Sequence, residues 1–157
     1  MKIKKDYLAK LITHVNRKQW WHVTPADPIA YKKRGKFYAS SFQEAEFYGR
    51  PNDIPERATI AKPFVCDNQT IEKKLLGKIE SYEGISIEEI AKIDTRLRQE
   101  ALKRGFDSIV LFSEKSLRSF RQTGKIPRSI ELNILKPTTA SGFPKPDTSS
   151  KRKTELA

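Results

Sequence analysis

The sequence predicts a mixed α+β domain, and three observations predict it. Hydrophobic residues recur at helical spacing in two long stretches, one near the N-terminus and one over 87–104. Short apolar or alternating runs at 19–24, 37–40, 58–67, 106–112 and 129–135 have the length and composition of strands. Helices and strands do not alternate regularly enough for a doubly wound parallel sheet.

The elements follow in order. Over 3–17, Leu8, Leu11, Ile12 and Val15, with Tyr7, form one stripe between lysines and Arg17, which predicts an amphipathic helix docked on a core. His14 lies on it with no acidic neighbour and reads as a surface histidine. QWWHVT (19–24) is aromatic and β-branched, hence a short strand. Residues 25–35 hold two prolines and end in KKRG, which predicts a loop. FYAS (37–40) is the second strand, and Ser41 with Glu44 has the spacing of a capping box that starts a short helix through Tyr48. Gly49, Pro51 and Pro55 then break the chain. ATIAKPFVCD (58–67) reads as a third strand, and Pro63 places it at an edge or a bulge. The clearest helix is 87–104: Ser86 caps it, Glu89 completes the box, Ile85 can staple to Ile90, and Gly105 stops it. FDSIVLF (106–112) is a buried strand, and 113–128 is a polar, basic loop. In the last strand, 129–135, Ile130, Leu132 and Ile134 face one way, and Glu131, Asn133 and Leu135 the other. The domain is expected to span 1–137. Residues 138–157 are polar and rich in proline and serine, and are expected to be a disordered basic tail.

Composition narrows the function classes. No run approaches the roughly 18 apolar residues of a membrane span, and the charged N-terminus lacks the apolar core of a secretory signal. A single cysteine, Cys66, and two histidines exclude an internal disulfide and argue against a metal site. A cytoplasmic monomer without metal or membrane partner is the expectation. With 31 basic and 19 acidic residues, the chain carries +12, a field that attracts polyanions and makes nucleic acid the first candidate partner, although such charge can also serve solubility alone.

Three features carry possible chemistry. His22 and Thr24, two apart on a strand, project to the same side, where both can hydrogen-bond a sugar hydroxyl; a purely structural histidine is the alternative. GKFYASSFQEAEFYG (35–49) supplies rings that either fill the core or stack on a flat heteroaromatic ligand. Glu131 is a lone carboxylate in an otherwise apolar strand, either partnered in a site or turned to solvent.

In order, HVT, GKFYASSFQEAEFYG, RGFDSIVLF and SIELNIL resemble the ADP-ribosyltransferase fold, in the histidine–aromatic–glutamate branch of the poly(ADP-ribose) polymerases and diphtheria toxin. The resemblance covers about residues 19–136. It implies a compact α+β domain with a mixed or antiparallel split sheet behind an N-terminal helix, and NAD as substrate. It also implies roles. His22 would bond ribose hydroxyls beside Thr24, and the Val23 backbone would hold the nicotinamide amide. Phe37 and Tyr48 would sandwich the nicotinamide, with Tyr38 replacing Phe37 if the register slips by one. Glu131 would bond the 2′-hydroxyl of the nicotinamide ribose and stabilise the oxocarbenium-like sugar. Val23 stands where the family often has glycine, and Ser129 stands where arginine- and guanine-modifying relatives carry Gln or Glu. The expected acceptor is a macromolecule, nucleic acid before protein, with Arg118, Arg121, Lys125 and Arg128 on its phosphates. A bacterial toxin or bacteriophage effector fits this description. The alternative is a catalytically inactive module of the same fold that binds nucleic acid or protein.

Overall fold

The computed structural model describes residues 2–78 and 86–137. The proposed staple residue Ile85 and the expected tail 138–157 lie outside the described residues. Among these, the protein is a mixed α+β fold of six helices and two small sheets.

Helix α1 (Lys5–Arg17) buries Leu11 and Val15, the centre of its predicted stripe. Strand β1 (Gln19–Trp20) is shorter than the 19–24 expectation: the chain makes one further bridge, Trp21 to Ala39, and then leaves the sheet. Trp20 is wholly buried and donates its indole N–H to the Val15 carbonyl at 3.0 Å, tying the strand to the end of α1. The 25–35 segment is not all loop. It contains α2 (Ile29–Arg34), which buries Ala30 and Tyr31. Pro28 sits at its N-cap, where a missing N–H costs the helix nothing.

Strand β2 (Lys36–Ala39) follows, then α3 (Phe42–Glu46), whose cap Ser41 accepts from the Glu44 N–H as its spacing predicts. The third strand is corrected at its start, and its end at Asp67 stands as expected. A two-residue β3 (Glu56–Arg57) pairs antiparallel with β1, and β4 covers only Pro63–Asp67. Helix α4 (Ile71–Leu76) links β4 toward α5 (Ile87–Lys103), where the Ser86–Glu89 capping box is complete. After β5 (Ser108–Phe112), the expected basic loop is instead α6 (Glu114–Thr123), capped by Ser113 and stopped by Gly124 at φ +76°. Only Leu117 and Phe120 are buried on it, and so short an apolar repeat is masked by its charges in the sequence. Burying two such side chains is worth about 1.5–3 kcal/mol each, enough to order a capped ten-residue helix.

Strand β6 (Glu131–Ile134) ends the fold. The main sheet has the order β2-β6-β5-β4, antiparallel except for the parallel pair β4 and β5. Strand β4, with Pro63, is therefore at an edge. The sheet separates two cores. Ile130, Leu132, Val110 and Phe112 pack with α1 and α6 on one side. Ile109, Leu135 and Cys66 pack with α4 and α5 on the other. No helix among the described residues is long and apolar enough to cross a membrane.

Candidate functional site

On the α5 side of the sheet, a cleft of about 760 Å³ opens between β2, β6, α2 and α5. The antiparallel register sets Ala39 opposite Glu131 and Phe37 opposite Asn133, so the residues of β2 and β6 that alternate away from the first core reach this cleft together. Ser40 secures the end of the pair: its hydroxyl donates to the Ile130 carbonyl at 2.9 Å and accepts from the Ile130 N–H at 2.8 Å.

His22, Val23, Phe37, Tyr38, Tyr48 and Glu131 all border the cleft. Phe37 and Tyr48 are 41% and 60% exposed, so their rings are available to a ligand. Tyr48, just past α3, donates its hydroxyl to Glu131 Oε2 at 2.8 Å across 83 positions of sequence. Burial and the adjacent carboxylate hold the Tyr48 phenol above its ordinary range, so it stays a neutral donor. Tyr38 belongs chiefly to the core: it is 4% exposed and donates to Glu56 Oε1 at 2.9 Å. The strand register thus turns Phe37 to the cleft and Tyr38 inward.

His22 is buried, and both of its ring nitrogens are engaged within the chain. Nδ1 lies 2.7 Å from the Phe37 carbonyl and Nε2 2.9 Å from the Tyr31 hydroxyl. Burial lowers its pKa, and the Lys36 ammonium adds to this. The Phe37 carbonyl and Glu56 push the other way. The chain leaves the sheet after Trp21, and Thr24 is not among the residues that border the cleft. Its hydroxyl donates to Asn52 Oδ1 at 3.0 Å, and Asn52 N–H in turn donates to the His22 carbonyl at 2.9 Å.

Arg118, Arg121, Lys125 and Arg128 are not brought to the cleft. Helix α6 packs through Leu117 and Phe120 on the opposite face of the sheet, so Arg118 and Arg121 lie on that side, and Lys125 and Arg128 follow in the segment leading to β6. Arg34 of α2 borders the cleft, and Lys32 and Lys33, which precede it on that helix, are exposed.

The structure adds residues that sequence reasoning missed. Tyr31 and Arg34 sit on α2, which the prolines and the KKRG run hid. Gly35, at φ +90°, turns the chain from α2 into β2, where a Cβ would collide with Asn133 Oδ1 and lie 2.7 Å from the Ile134 carbonyl. Asn133 itself donates to the Arg34 carbonyl at 2.9 Å. Asp94 has a signal that was available: it stands on the apolar stripe of α5, between Ile90 and Leu97, and all three border the cleft. Burial raises its carboxyl from 3.8 to about 6, with Glu72 and Glu131 adding to the rise and Arg34 opposing it. The cleft therefore has aromatic surfaces, a Tyr-held carboxylate and a second carboxyl pushed up to about 6. Among the described residues no group of His, Cys, Asp and Glu is arranged to hold a metal ion. Comparison with family models, with curated proteins and with solved structures returned no match.

Proposed function

We propose that this chain transfers ADP-ribose from NAD to a macromolecular acceptor, using the cleft between β2, β6, α2 and α5. One observation carries the reading: His22, Phe37, Tyr48 and Glu131, remote in sequence, border one cleft, and the Tyr48 hydroxyl is bonded to the Glu131 carboxylate. A volume of about 760 Å³ suits a dinucleotide in extended or folded form. The nicotinamide lies between Phe37 and Tyr48, and Glu131 accepts from the 2′-hydroxyl of its ribose. The bond between C1′ and the nicotinamide nitrogen breaks, and its electron pair leaves with neutral nicotinamide. Glu131, oriented by Tyr48, stabilises the positive charge left on the sugar. A nucleophilic atom of the acceptor then bonds C1′ and releases its proton to water. The protein binds, orients and shields; it supplies no covalent intermediate.

The net charge of +12 favours nucleic acid as the acceptor. The four basic residues in and after α6 would have to guide it from the far face of the sheet, whereas Arg34 borders the cleft itself. A second reading, a module of this fold that binds without turnover, is favoured by the internal bonds on both His22 nitrogens. Incubation with NAD labelled in the adenylate, together with RNA, DNA or cell extract, separates the two. Label on an acceptor that disappears in Glu131→Gln supports transfer. A folded protein that consumes no NAD with any of these acceptors rules transfer out.

A further inference from the structure

We infer that Tyr31 is the residue that accepts a hydrogen bond from a ribose hydroxyl of the bound nucleotide, and that His22 is a positioning residue acting through it. This rests on the nucleotide reading of the cleft.

The Phe37 carbonyl has no proton to give, so the 2.7 Å contact requires a proton on His22 Nδ1. His22 is 4% exposed, and burial favours the neutral ring. A neutral imidazole protonated on Nδ1 has only a lone pair at Nε2. The Tyr31 hydroxyl, 2.9 Å away, must therefore donate to it. That hydroxyl has a single proton. Once it is committed to His22, the Tyr31 oxygen meets every further donor as an acceptor.

The surroundings hold this arrangement. Tyr31 is anchored on α2, its ring 5.7 Å from the His22 ring and 5.8 Å from the Lys36 ammonium. Burial raises the phenol pKa, so the proton is retained. Tyr31 borders the cleft from α2, while Tyr48 and Glu131 border it from the end of α3 and from β6. An acceptor fixed at that point selects ligand chemistry. It welcomes a sugar hydroxyl, which can donate, and disfavours a phosphate oxygen or a carbonyl, which cannot. The network His22–Tyr31 thus assigns the point of the cleft at the Tyr31 hydroxyl to a ribose and leaves phosphates to basic groups such as Arg34.

The test is titration of NAD into the wild-type protein and Tyr31→Phe, with thermal unfolding as a check on the fold. Loss of one neutral hydrogen bond weakens NAD binding roughly three- to tenfold in Tyr31→Phe. Equal or tighter binding overturns the inference, because removing a hydroxyl that merely caps His22 frees Nε2 for the ligand. ¹⁵N spectra of the wild-type histidines, recorded without NAD, provide an arm independent of the variant and of the nucleotide reading. A His22 proton on Nδ1 with a bare Nε2 is expected, and a proton on Nε2 overturns the assignment. Wild-type protein that takes up no NAD overturns the nucleotide reading and the ligand contact with it, an outcome distinct from wild-type and variant binding NAD alike.

Discussion

Replacing Asp94 with Asn should make the protein more stable, and only above a defined pH. Asp94 sits on the cleft-facing side of α5, where burial, Glu72 and Glu131 raise its carboxyl to about 6 against an ordinary 3.8, despite the opposing charge of Arg34. Because the folded value is the higher one, the folded state binds more protons than the unfolded state between these two values. Stability from this group is complete below about pH 3.8 and is lost as the pH rises through about 6. Each tenfold change in proton affinity is worth about 1.4 kcal/mol, which sets a ceiling of roughly 3 kcal/mol. Asp94 keeps some contact with solvent, so screening reduces the expected effect to about 1–3 kcal/mol. Asparagine has nearly the shape of the protonated acid and cannot ionise. The two proteins should therefore be about equally stable at pH 4, with Asp94→Asn ahead by that margin at pH 7.5. Urea unfolding followed by circular dichroism at several pH values measures this, and subtraction of the two curves removes groups that titrate alike in both. A difference that stays flat from pH 4 to 7.5 refutes the account. So does a difference of opposite sign, which would mean that Arg34 holds the carboxylate ionised and that the pair dominates burial.

Two further perturbations address how the cleft is built. Gly35→Ala forces an L residue to φ +90° and drives a methyl into Asn133 and the Ile134 carbonyl, which together should cost about 2–5 kcal/mol in chemical unfolding; a change below about 1 kcal/mol would show that the turn between α2 and β2 relaxes freely. Ser113→Ala removes the cap that accepts from Ser116 N–H and should cost about 1 kcal/mol while leaving NAD binding unchanged, since α6 is behind the sheet; weaker NAD binding in a variant that remains folded would contradict that separation.

Much of the fold was legible because its signals are local. Helix α5 carries its stripe, its Ser86–Glu89 box and its glycine stop within some twenty residues, and these agree with one another. Alternation in 129–135 correctly assigned Ile130 and Leu132 to one core and Glu131 and Asn133 to the other face. Helices α2 and α6 were not legible in the same way. Each has only two buried side chains, and their stability comes from what those side chains meet across the fold. In the candidate site, the aromatic segment and Glu131 were singled out from residue type. Tyr31, Arg34 and Asp94 were not, because nothing in a helix stripe or a basic run states which partner it will face.

The mixed α+β class, the caps and stops of the long helix, the two-faced final strand and a charge of +12 can all be read along the chain. Periodicity, capping and net charge are properties of neighbouring residues or of simple sums, so they survive without coordinates. It takes the packed fold to show that Tyr48 bonds Glu131, that both nitrogens of His22 are engaged through Tyr31 and Phe37, and that the basic helix α6 lies behind the sheet. These are relations between residues 9 to 83 positions apart, set by the β2–β6 register and by which face each helix covers. Hydrogen-bond polarity at His22 in particular depends on a carbonyl 15 residues away, and no local pattern encodes it.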